Sequence, residues 1–175
     1  EEVGIVGARL YYPDNTIQHA GLVIGIGGSL RGIGANLYQG MRRERSGYLH
    51  RAAFQMNYSA VTAALMMVKK EVYEKAGGFE EELSVAFNDV DFCLRVRNIG
   101  YLIVYDPYAE LIHYESKSRG YEDTEEKIER FHGEVNLFQT RWKDFLKKGD
   151  PYYSPNLTLD HNDFGLNHLA KVERR

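Results

Sequence analysis

Six apolar residues, Ile128, Phe131, Val135, Phe138, Trp142 and Phe145, recur at spacings of 3, 4, 3, 4 and 3. Only a helix of about 3.6 residues per turn lines up such a series on one face. The spacing predicts a long amphipathic helix over 124–148. Its ends agree: Asp123 with Glu126 resembles a capping box, and Arg141, Lys143, Lys147 and Lys148 fill the last turns, where the helix dipole favours cations. A stripe of about three heptads could seed a coiled coil, but docking onto the chain's own sheet is the preferred reading.

That sheet is read from short β-branched and aromatic runs. Residues 3–12 lead into Pro13-Asp14-Asn15-Thr16, residues that set turn geometry and send the chain back as a strand over 17–24. A glycine-rich stretch at 25–40 and the basic Arg42, Arg43 and Arg45 follow, a long loop of the kind that forms lids and binding loops. Residues 60–69 read as a buried strand, and 70–76 as a short helix stopped by Gly77-Gly78. Asn88 or Asp89 caps a second helix to about Ile99, ended by Gly100. Residues 101–105 and 109–114 read as two strands parted by Asp106-Pro107, since proline cannot donate to a ladder. The class is α/β, a mixed sheet with flanking helices in a domain over 1–148. Residues 149–175 lack a sustained period and read as an extended or disordered tail.

The chain has 175 residues, enough for one domain with a core, and its 43% hydrophobic and 27% charged residues are ordinary for a globular fold. Twenty-two basic against 25 acidic residues give a net charge of -3, too little attraction for phosphate to support a nucleic-acid partner. The longest nearly unbroken apolar run, 60–68, falls short of the ~20 residues a transmembrane helix needs. The single cysteine, Cys93, excludes an internal disulfide and favours a reducing, cytoplasmic compartment. Gly25-Ile26-Gly27-Gly28-Ser29-Leu30 has Leu where a dinucleotide fingerprint needs its third Gly, and no Gly-Lys-Ser/Thr follows.

The candidates for chemistry lie further on. Asp89 and Asp91, two residues apart on a helix, point about 200° away from each other and cannot do the same job. Arg95 lies four residues beyond Asp91, which reads as a surface ion pair. Asp89 reads either as an N-cap or as a general base at the mouth of the helix. His113 reads either as a hydrogen-bonded core histidine or, with Glu115 two residues on, as a ligand for a hard divalent metal. Lys117 and Arg119 are either solvated or able to reach a diphosphate.

Taken together, Gly77-Gly78-Phe79, Asn88-Asp89-Val90-Asp91-Phe92-Cys93-Leu94-Arg95, Gly100-Tyr101, Pro107-Tyr108-Ala109 and His113 resemble the acceptor half of family-two inverting glycosyltransferases. The likeness runs on through Ser116-Lys117-Ser118-Arg119-Gly120 and back to Tyr12-Pro13-Asp14 and His19-Ala20-Gly21, as in bacterial enzymes of surface-polysaccharide synthesis. It implies the C-terminal portion of a GT-A fold, with a nucleotide-sugar donor and a glycan acceptor as partners. It also implies cytoplasmic work with peripheral contact at the inner face of the membrane. The family's Glu-Asp motif falls on Asn88-Asp89, which implies Asp89 as the base. Asn88 can hydrogen-bond substrate but cannot accept a proton. The family's metal-binding histidine falls on His113, implying Mg²⁺ or Mn²⁺ shared with the donor diphosphate. Arg119 then lies near that leaving group.

The family's Asp-x-Asp motif is expected before residue 1, so the chain by itself is expected neither to bind nucleotide sugar tightly nor to turn it over. A missing first half would leave an exposed sheet edge prone to self-association. The other reading open to the sequence is a noncatalytic glycan-binding or assembly module, whose 13 Tyr would contact sugars through their ring faces.

Overall fold

The computed structural model describes residues 2–27, 33–114 and 124–167. The chain runs β1 (Glu2–Tyr11), β2 (Ile17–His19), β3 (Leu22–Val23), β4 (Ala35–Asn36), β5 (Met56–Tyr58), β6 (Met66–Val68), α1 (Lys70–Lys75), α2 (Asn88–Asn98), β7 (Tyr101–Ile112), α3 (Glu125–Arg141) and α4 (Lys143–Lys148). The architecture is mixed α/β. One sheet has the order β2-β1-β7-β5, with β6 also on β1, and β3-β4 form a separate ribbon. β1 runs parallel to β7 and antiparallel to β6 at Ile5–Gly7 and to β2 near Leu10 and Tyr11.

Local chemistry explains the joints. Asn15 takes a positive φ of 63°, while the Asp14 carboxylate accepts from the Thr16 amide and hydroxyl at 2.9 and 2.7 Å, closing the β1–β2 turn. Gly21 breaks the return strand at φ 96°; a Cβ there would lie 2.2 Å from the Tyr58 ring. The chain can pass this point only as glycine.

Two predicted strands are redrawn. Over 60–69, Thr62 accepts from the Ala64 amide at 3.3 Å and turns Ala63–Leu65 into a 3-10 helix, leaving the short β6, with Met67 exposed between two half-buried residues, instead of a buried strand. β7 continues past Pro107 as one strand. Its register on β1 jumps from Ala8↔Asp106 to Arg9↔Glu110, so residues 107–109 bulge out of the ladder and no donor is required of the proline. The predicted helix over 124–148 is likewise divided, at Trp142, whose φ of -105° and ψ of 20° are not helical.

The core spans sheet, α2, α3 and the ribbon, and it includes Ile33, Leu37, Tyr38 and Ala52 of the long loop. After α4 the chain returns over this loop. Asp150 accepts from the Ile24 amide and the Ser59 hydroxyl, each at 2.8 Å. Phe164 stacks on Tyr38 and Tyr48 with ring centroids 5.2 and 4.8 Å apart.

Candidate active site

The first turn of α2 is held from both sides. Before it, Glu134 of α3 accepts from the Ser84 hydroxyl at 3.1 Å and from the Val85 and Ala86 amides at 3.0 and 2.9 Å. Phe87 then turns the chain through a left-handed conformation, φ 63°, and occupies the cap position without a side-chain hydrogen bond. Asp89 is therefore not an N-cap. Its Oδ2 accepts from the Ala63 amide at 3.0 Å and its Oδ1 from the Val90 amide at 2.8 Å, which ties the 3-10 turn to the helix.

Asp91 faces the other way, as two residues on a helix must. It is fully buried, and the expected surface pair with Arg95 is a buried network: Arg95 Nε, Arg141 Nη1 and Trp142 Nε1 donate to it at 2.8, 3.2 and 2.9 Å. The break between α3 and α4 lies where the Trp142 indole reaches this carboxylate. The two carboxylates thus divide the work, Asp91 fastening α2 to α3 while Asp89 stands on a cleft.

That cleft has a volume of about 290 Å³ and is lined by Leu22, Asn36, Thr62, Ala86, Asp89 and Phe131, among others. Burial pushes the Asp89 carboxyl above the usual carboxylate range, against the lowering pull of the Ala63 and Val90 amides and the Thr62 hydroxyl. A carboxylate raised in this way binds a proton more tightly than a solvated one, while the positive end of the helix favours its anion.

His113 follows β7, its amide donating to the Tyr11 carbonyl at 2.9 Å and its Nδ1 lying 2.8 Å from Gln18 Oε1. It is not among the described residues lining the Asp89 cleft, and neither is Asn88, the half-buried first residue of α2. Lys117 and Arg119 lie outside the described residues. The structure therefore joins Asp89 to Asn36 and Thr62 and leaves His113 elsewhere. Among the described residues no group of three or more His, Cys, Asp and Glu side chains is placed to hold a metal. His113 can offer one ring nitrogen, because Gln18 takes the other. Cys93 is buried, its Sγ 3.6 Å from the Val61 carbonyl, and burial pushes its thiol up, away from reactivity.

No family model and no solved structure matches the chain. Curated relatives do. A Sinorhizobium fredii protein named only as uncharacterized protein y4gI is 54% identical over 167 residues, 94% of this chain and 18% of the relative. The O-antigen biosynthesis protein RfbC of Myxococcus xanthus is 36% identical over 166 residues, 94% of this chain and 12% of the relative. An N-acetylglucosaminyl-diphospho-decaprenol L-rhamnosyltransferase of Mycobacterium tuberculosis is 32% identical over 60 residues, 34% of this chain and 20% of the relative. The likeness is to proteins named for O-antigen synthesis and sugar transfer. The chain spans less than a fifth of the first two relatives. No helix among the described residues is long and apolar enough to cross a membrane.

Sequence reasoning missed Glu134, Asn36 and the depth of His19. Glu134 carried a signal: it lies three residues after Phe131 and four before Phe138, on the apolar stripe, where an acid needs a partner. Asn36 carried none, since it sits in a glycine-rich loop without period.

Proposed function

We propose that the chain is the acceptor side of an inverting glycosyltransferase of GT-A type that moves a sugar from a nucleotide-sugar donor to a glycan hydroxyl in surface-polysaccharide synthesis. The observation that carries this reading is the Asp89 carboxylate, raised by burial and set on an open cleft at a helix mouth. Asp89 takes the proton from the acceptor hydroxyl as that oxygen attacks the anomeric carbon, on the face opposite the departing nucleoside diphosphate, so configuration inverts. The names of the relatives support the substrate class.

On the departing side, the reading assigns Lys117 and Arg119 to charge pairing with the diphosphate and Asn88 to substrate binding. His113 would contribute a single nitrogen, Nε2, to a divalent ion, Mg²⁺ or Mn²⁺, because Gln18 fixes Nδ1 as the protonated position. Such an ion supplies charge neutralisation for the diphosphate when bound. The protein works in the cytoplasm, at the inner face of the membrane.

The test uses the full-length polypeptide that contains this chain, assayed with UDP-, GDP- and dTDP-sugars for release of nucleoside diphosphate in the presence of glycan. Asp89→Asn is expected to lose about 10²-fold or more of the transfer rate, the size of general-base catalysis, while still binding donor. Unchanged turnover in that variant overturns the reading, and glycan binding without turnover by the native protein favours a noncatalytic module.

A further inference from the structure

We propose that Asn36, oriented by His19, is the hydrogen-bond donor that reads the acceptor sugar beside Asp89. The inference rests on the reading of Asp89 as acceptor-side base.

His19 is 1% exposed, and its Nδ1 lies 2.7 Å from Asn36 Oδ1. A carbonyl oxygen only accepts, so Nδ1 carries the ring's proton. Burial holds the imidazole down to about 4, which keeps it neutral with that single N–H. Its Nε2 is buried and has no hydrogen-bond partner among the described residues. An unpartnered buried polar atom is unfavourable, and what this ring does in return is fix one amide.

Asn36 is held in its backbone as well. It pairs with Leu22 across the β3–β4 ribbon, and its carbonyl accepts from Asn162 Nδ2 at 2.9 Å. With Oδ1 committed to His19, the side chain presents its NH₂ group, for which the described residues supply no partner. Asn36 and Asp89 line the same cleft, whose volume of about 290 Å³ is at the small end of ligand sites. The same cleft is therefore lined by a donor and an acceptor, with Phe131 as an apolar wall. A pyranose carrying vicinal hydroxyls matches this: one hydroxyl gives its proton to Asp89 and the neighbouring oxygen accepts from Asn36.

The experiment measures binding of methyl glycosides (gluco, galacto, manno, rhamno and N-acetylglucosamine forms) to the full-length polypeptide by saturation-transfer NMR, and transfer in parallel. Asn36→Ala is expected to weaken the best-bound glycoside about tenfold, the loss of one hydrogen bond, measured at a temperature where circular dichroism shows the variant folded. His19→Ala should weaken it similarly, and His19→Asn, which keeps an amide N–H near the position of Nδ1, should restore binding to within about threefold of native. Asn36→Asp places a like charge in the cleft that Asp89 lines and should move the acid limb of the transfer profile to higher pH. Glycoside binding by Asn36→Ala within threefold of native overturns the inference, as does the absence of any saturable glycoside on the native protein. If Asp89→Asn loses transfer while Asn36→Ala binds normally, only this inference falls. If Asp89→Asn transfers normally, the reading beneath it falls too.

Discussion

Burial holds the His19 imidazole at about 4 against an ordinary value of 6.5. Between those values the unfolded chain takes up a proton that the native ring refuses. The stability present above pH 6.5 therefore declines as pH falls toward 4, by about 3 kcal/mol at most from this ring. Urea unfolding of the native chain and His19→Asn at pH 7, 5.5 and 4.5 checks this: the native chain should lose more stability, and parallel curves would contradict it. At this scale the candidate base was legible and its surroundings were not. Asp89 stands in a recognisable motif, but its partner Ala63 is 26 residues away. Asp91 read as a surface residue because Arg95 satisfies it locally, while Arg141 and Trp142 approach from 50 and 51 residues along the chain.

Among the elements, that same carboxylate is the fastening. Besides Asp91, Arg95 donates to the Ala76 carbonyl and, at 2.6 Å, to the Gly78 carbonyl, so one buried cluster joins the end of α1 to α2 and α3. Removing its centre takes the acceptor from the Trp142 indole N–H and from one N–H of each guanidinium, while Arg95 keeps the Ala76 and Gly78 carbonyls and Arg141 keeps Glu80 at 2.9 Å. Asp91→Ala should lower stability by about 3–5 kcal/mol in denaturant unfolding, whereas Lys70→Ala, which breaks the exposed pair with Glu74 at 3.7 Å, should cost under about 0.5 kcal/mol. Equal effects would show the cluster to be incidental. Helices were the legible elements, because a 3.6-residue period and glycine stops are local signals: α1 ends at Gly77, φ 82°, and α2 before Gly100, φ 94°. Strands were less so. Whether Pro107 ends β7 or bulges from it depends on the register of β1, about a hundred residues earlier in the chain.

For the molecule as a whole, the returning segment after α4 closes the fold over the long loop. Tyr153, Leu157 and Phe164 are 8%, 8% and 6% exposed. At about 2 kcal/mol for each buried side chain, together with the Asp150 hydrogen bonds, their loss approaches the 5–15 kcal/mol that holds a typical domain. A chain ending at Lys148 should melt without a cooperative transition, and a native melting curve would contradict that. Little of this was legible, since the segment has no period and acts through single anchors. Its role nevertheless bears on the cleft, because Asn162 supports the ribbon that carries Asn36.

The central claim is that the Asp89 carboxylate removes the acceptor's proton, and chemical rescue tests it most directly. In the full-length polypeptide, Asp89→Ala should lose transfer by about 10²-fold or more, and added formate, small enough for the vacated space, should restore at least part of it while leaving the native rate unchanged. Transfer by Asp89→Ala at the native rate without formate would contradict the account.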